Sequence, residues 1–159
     1  MNQSPYQLTP ASVGRTSQII AGALIAGVVM FGCVVFFRAN GEPAESSPML
    51  GLMGAGMAVM AVVMRFIVPT IIVNGAKARL KETADADLMT QLAGLYQTKL
   101  IVGMAVIEGA AFFNLIAYLM EMQFWSYGVV AFLLGVMVIS FPSQGQFENW
   151  AEEMKRDLN

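Results

Sequence analysis

Residues 98–120 read TKLIVGMAVIEGAAFFNLIAYLM, a long apolar run with one carboxylate, Glu108, near its midpoint. A helix needs about 20 apolar residues to cross the hydrocarbon core of a bilayer, so this stretch has the length of a spanning helix. A charged side chain at the bilayer centre costs about 2.5–3.5 kcal/mol even on lenient insertion scales. Glu108 is therefore the first candidate for a functional residue.

Outward from this run, the apolar stretches 17–37, 49–73, 99–120 and 124–141 each approach spanning length. The chain has 159 residues, 57% hydrophobic and 13% charged, with mean hydropathy +0.62; soluble domains carry about 25% charged residues. The expected fold is all-α, an integral membrane four-helix bundle with short cytoplasmic amphipathic helices. A polar segment, 1–16, precedes the transmembrane domain 17–142, and an amphipathic tail, 143–159, follows it. The chain has no histidine and a single cysteine, so little material exists for metal clusters, disulfide exchange or His-based acid/base chemistry. No nucleophile–base pair, phosphate loop or nucleic-acid patch stands out, and neither an enzyme nor a cofactor is expected.

Positive charge sets the orientation. Arg15 precedes the first run, Lys77, Arg79, Lys81 and Lys99 lie between the second and third, and Lys155 and Arg156 are in the tail, whereas only Arg38 lies on the opposite side. The positive-inside rule then places both termini in the cytoplasm, with the protein multi-pass in the inner (plasma) membrane.

The start, MNQSPYQLTPASVGR, is polar and breaker-rich, and the run after it is too long for a secretory core, so an uncleaved anchor is expected. Bulky Phe31 spoils the lipoprotein-like Met30-Phe31-Gly32-Cys33, leaving Cys33 as a buried packing residue. Gly22, Ala23, Ala26 and Gly27 suit close helix approach. In the second run Met49, Met53, Met57, Met60 and Met64 form one stripe, and Gly51, Gly54, Ala58, Ala61, Arg65 and Pro69 form another. The small-residue face suits the interior. The methionines, lacking Cys or His neighbours, read as apolar filler rather than soft-metal ligands. Pro69 withholds the N–H that would bond the Arg65 carbonyl, so a kink or polar pocket is expected there.

Leu88, Leu92 and Leu95 recur at helical spacing after Asp85 and Asp87, which predicts a short amphipathic helix that turns into the third span. Glu121-Met122-Gln123 has the length of a tight turn, and Trp125 and Tyr127 fit an interfacial aromatic belt. In the tail, Ser143 and Gln146 have capping-box spacing. Phe147, Trp150, Ala151, Met154 and Leu158 share one face, which suits the protein's own surface, a partner or the membrane interface.

Arg65 and Glu108 are the ionisable residues expected at depth, about one turn apart on consecutive helices, and an ion pair between them is the expected clamp. Asn114 lies about 120° around the third helix from Glu108 and is expected to bond a different neighbour, across to helix one or four.

Helices two and three also resemble part of the proteolipid (c) subunit of rotary ATP synthases. Gly103, Ala105, Glu108, Phe112 and Leu115 carry the likeness: a small-residue segment, a mid-membrane acid, then aromatic and Leu positions. The resemblance implies proton or cation binding at Glu108. The chain departs from that pattern in lacking the Arg-Gln-Pro loop signature, in carrying Arg65 within the preceding helix, and in having two further helices. The residues alone support a structural, assembly or accessory membrane component without catalysis, whose partners are the lipid bilayer and either a second copy or another membrane protein. The alternative is a proton- or cation-translocating protein using Glu108.

Overall fold

The computed structural model describes residues 10–39, 49–81 and 85–158. These form five helices and no strand: α1 (Pro10–Arg38), α2 (Met49–Lys81), α3 (Asp85–Glu121), α4 (Trp125–Ile139) and α5 (Gln144–Leu158). Three are long and apolar enough to cross a membrane, over Ala11–Arg38, Met49–Lys77 and Leu88–Glu121. At 15 residues, α4 is shorter than the 124–141 run: it ends at Ile139 with Ser140 as its C-cap, and Pro142, which cannot continue a helix, follows. Its helical length is about 22 Å at 1.5 Å per residue. The polar start 1–9 and the 40–48 loop lie outside the described residues.

The α3 helix is the centre of the packing, against which α1, α2 and α4 make their largest contacts. Its α2-facing side follows two seven-residue stripes, Tyr96–Gly103–Ala110–Ala117 and Ile107–Asn114–Glu121, all buried. The facing side of α2 is the small-residue stripe: Gly51, Gly54, Ala58, Ala61 and Pro69 are buried, whereas Met49, Met53, Met57 and Met60 face outward. On α1 the buried seam is Ala21, Val28 and Val35. The small residues expected there make only one close approach, Gly27; Ala23 and Ala26 are exposed and Gly22 has open space around it. Contacts of Gly27 with Glu108 and of Gly32 with Leu115 show that α1 runs parallel to α3. Cys33 is exposed rather than buried.

One expectation about connections is corrected. The Leu88–Leu92–Leu95 segment does not turn before the third span; it continues into it as one 37-residue helix, since no Gly-Pro break interrupts the hydrogen-bond ladder between Leu88 and Leu100. The capping roles suggested for Asp85 and Asp87 fall on side chains outside the description. At the other end of α3, Met122 takes φ 53°, the left-handed turn position expected of a three-residue hairpin.

A second apolar cluster forms at the Tyr96 end. Phe147, Ala151 and Met154 of α5 pack on Val13 of α1, Leu80 of α2 and Leu92, Ala93 and Tyr96 of α3. The amphipathic tail is thus docked on the protein's own surface. Its start carries half of the expected capping box, the Ser143 N–H donating to Gln146 Oε1 at 3.2 Å. Gln18 Nε2 donates to the Pro142 carbonyl at 3.1 Å, and Lys77 pairs with Asp157 at 3.1 Å.

Candidate functional site

Arg65 emerges from the small-residue face of α2 opposite Gly103 of α3. A Cβ on Gly103 would lie 3.3 Å from Arg65 Nη1 and 3.6 Å from Pro69 Cγ, so the missing side chain is what lets this part of α2 approach. Next to it lies the expected polar pocket, a cavity of about 570 Å³ that Arg65 shares with Lys99, Tyr96 and Trp150. Lys99 Nζ stands over the Trp150 ring, 5.3 Å from its centroid, in cation–π range.

Glu108 is elsewhere. Its Oε1 would lie 3.4 Å from a Cβ on Gly27, which puts the carboxylate in the groove between α3 and α1. Phe112, one turn along, meets Phe31 of α1 edge-to-face at 5.3 Å. Gly103 and Glu108 are five residues apart, about 140° around a helix with 3.6 residues per turn. Arg65, opposite Gly103, and Glu108 are therefore offset along the α3 axis, and α3 stands between them. The expected ion pair is absent: among the described residues the only one is Lys77–Asp157. Glu108 is partly exposed and, among the described residues, accepts no hydrogen bond.

Asn114 is fully buried and donates through Nδ2 to the Gly54 carbonyl of α2 at 3.0 Å and to the Ala110 carbonyl at 2.8 Å. Its bond thus goes to α2, not to the other helices where it was expected. The spacing 107–114–121 places it on the α2 seam, and Gly54 supplies an approachable carbonyl. A Cβ on Gly54 would sit 2.5 Å from Asn114 Oδ1, and that oxygen is buried without a hydrogen bond.

One further polar residue was not singled out from the sequence. Glu121, the last residue of α3, is buried and accepts the backbone N–H groups of Leu50 at 2.6 Å and Gly51 at 2.8 Å. These are first-turn donors with no intrahelical partner, and α2 has no acid of its own in that turn. A carboxylate there also meets the positive end of the helix dipole. The available signal was an acid seven residues after Asn114, on the same stripe. Trp125 closes the joint, its ring 2.5 Å from where a Gly51 Cβ would stand. Nearby, the Tyr127 hydroxyl donates to the Gly32 carbonyl at 3.0 Å, tying α4 to α1.

The three residues singled out from sequence therefore occupy three separate places: Arg65 a cavity beside α2, Glu108 the α1–α3 groove, Asn114 the α2–α3 seam. Among the described residues no group of three or more His, Cys, Asp or Glu side chains is arranged to hold a metal ion. No family model matches the chain, and neither a curated protein nor a solved structure matches it.

Proposed function

We propose that the chain is a multi-pass membrane protein of four crossing helices, with both termini cytoplasmic, that serves as a structural, assembly or accessory component without catalysis of its own. The observation that carries this reading is the outward surface of α1 and α2. Met30, Phe37, Leu52, Val59, Phe66 and Ile71 are all more than 60% exposed. Apolar surface on this scale calls for lipid or a membrane partner. Buried polar groups serve as helix-to-helix joints, Asn114 to Gly54 and Glu121 to the start of α2.

The short α4 is compatible with a fourth crossing. It begins where Tyr127 meets Tyr118 edge-to-face, ring centroids 4.5 Å apart, and the chain re-emerges where Phe147 meets Tyr96 at 5.3 Å. Those α3 positions are 22 residues apart, about 33 Å along a helix. The test is carbonate extraction followed by purification in mild detergent. Retention in the membrane and a stable complex, with a second copy or another membrane protein, support the reading; release by carbonate overturns it. A reporter fused at Lys81 should be cytoplasmic.

The second reading, proton or cation translocation through Glu108, draws on that residue having no ion-pair partner among the described residues and facing the α1–α3 groove. The resemblance to the rotary proteolipid points the same way. Reaction of Glu108 with a hydrophobic carbodiimide, blocked at high pH or by sodium, would favour this reading over the first.

A further inference from the structure

The cavity beside Arg65 is chemically two-sided. Its lining holds Arg65 from α2, Lys99 and Tyr96 from α3, Trp150 from α5 and Ser140 just past the end of α4. Among the described residues no carboxylate forms an ion pair with either cation. Glu153 of α5 is an acid whose charge reaches Lys99. Thr70 donates its hydroxyl proton to the Phe66 carbonyl; Asn74 and Gln146 also line the cavity, and Arg65 and Lys99 are the charged donors there for an incoming anion.

The remaining edge is apolar and opens outward: Phe66 lines the cavity and is 68% exposed. A second cavity, of about 360 Å³, lies between α2 and α4 and is lined by Ala55, Val59, Trp125, Gly128 and Phe132. The two share one side of α2. Val59 and Phe66 are seven residues apart, as are Ala58 and Arg65, a spacing that returns to within about 20° on a 3.6-residue helix. From Arg65 to Ala55 is ten residues, about 15 Å along the axis. The same side of α2 therefore borders, at one end, a cavity with two cations, its own Arg65 and Lys99 of α3, and at the other an apolar hollow.

We propose that this side of the protein binds one anionic phospholipid, its phosphate between Arg65 and Lys99 and an acyl chain along Val59 and Phe132. Basic pockets between helices at the membrane surface are suited to such headgroups, and a guanidinium meets a phosphate bidentately. A soluble phosphate would use the cations alone; the apolar hollow on the same face favours the lipid. The inference rests on the membrane-spanning reading above.

The test uses the full-length protein in nanodiscs of phosphatidylcholine doped with phosphatidylglycerol, with lipid retention read by native mass spectrometry after transfer to mild detergent. Incorporation into the discs itself checks the membrane reading, so its failure is distinguishable from failure of lipid binding. Wild type should retain phosphatidylglycerol in preference to phosphatidylcholine. R65Q and K99Q should each lower retention about fivefold, the effect expected from one interfacial cation. G128L should lower it with both cations intact, since no atom lies within 4 Å of a Cβ at Gly128 and the added side chain fills the hollow. Millimolar inorganic phosphate should not displace the lipid. Equal retention of both lipids, no loss in R65Q and K99Q, no loss in G128L, or displacement by inorganic phosphate would each overturn the proposal.

Discussion

The Glu121 carboxylate accepts the Gly51 N–H at 2.8 Å, so the last residue of α3 caps the first turn of α2. A helix usually finds its N-cap in the residue just before it. Here the cap comes from 70 residues further along the chain, which couples the start of α2 to the α3–α4 turn.

Replacing that carboxylate should loosen the joint. Hydrogen bonds to charged groups contribute about 1.5–3 kcal/mol, and Glu121→Gln keeps one acceptor for one of the two N–H groups while turning an amide N–H₂ towards the other. A loss of about 1–2 kcal/mol is expected, and a larger one for Glu121→Ala, read as the unfolding midpoint of the purified protein in mixed micelles. An unchanged midpoint in both would show that the cap contributes nothing.

Gly54→Ala should be costly out of proportion to its size, because the new methyl would sit 2.5 Å from Asn114 Oδ1. Overpacking of this kind costs about 1–3 kcal/mol. Gly56→Ala, on the open side of the same helix, should be neutral or stabilising by up to about 1 kcal/mol. Asn114→Ala in the Gly54→Ala background should recover part of the loss. Equal behaviour of the two glycine variants would contradict the close approach at Asn114.

Arg65→Leu and Glu108→Gln should act independently. With α3 between the two side chains, their stability effects are expected to add within about 0.5 kcal/mol. A coupling of several kcal/mol, as for a buried pair that loses one member, would mean the two charges meet after all.

The tail makes a separate prediction. Phe147 is 1% exposed within the α5 cluster, and truncating a buried Phe costs about 3–5 kcal/mol. Phe147→Ala should release α5, raising protease cleavage between Pro142 and Phe147 while α1–α4 stay folded. Asp157→Asn, which removes only the exposed pair with Lys77, should change stability by about 1 kcal/mol or less. Unaltered cleavage in Phe147→Ala would mean that other contacts hold the tail.

The sequence by itself determined which side of each helix is small and which is bulky. The Gly51–Gly54–Ala58–Ala61 face of α2 is buried as its periodicity predicts, Met49, Met53, Met57 and Met60 face outward, and the apolar side of α5 is the docked side. Periodicity carries this because a residue's angle around its own helix follows from 3.6 residues per turn. It cannot carry the angle at which neighbouring helices stand around α3, which depends on packing across the whole length of each seam. Only the tertiary structure decided that α1 and α2 flank α3 on different sides, separating Glu108 from Arg65, and that Asn114 faces α2. It likewise decided that Glu121 reaches the start of α2 and that the tail lies on the protein's own surface, since both contacts join segments far apart in the chain whose meeting no local pattern encodes.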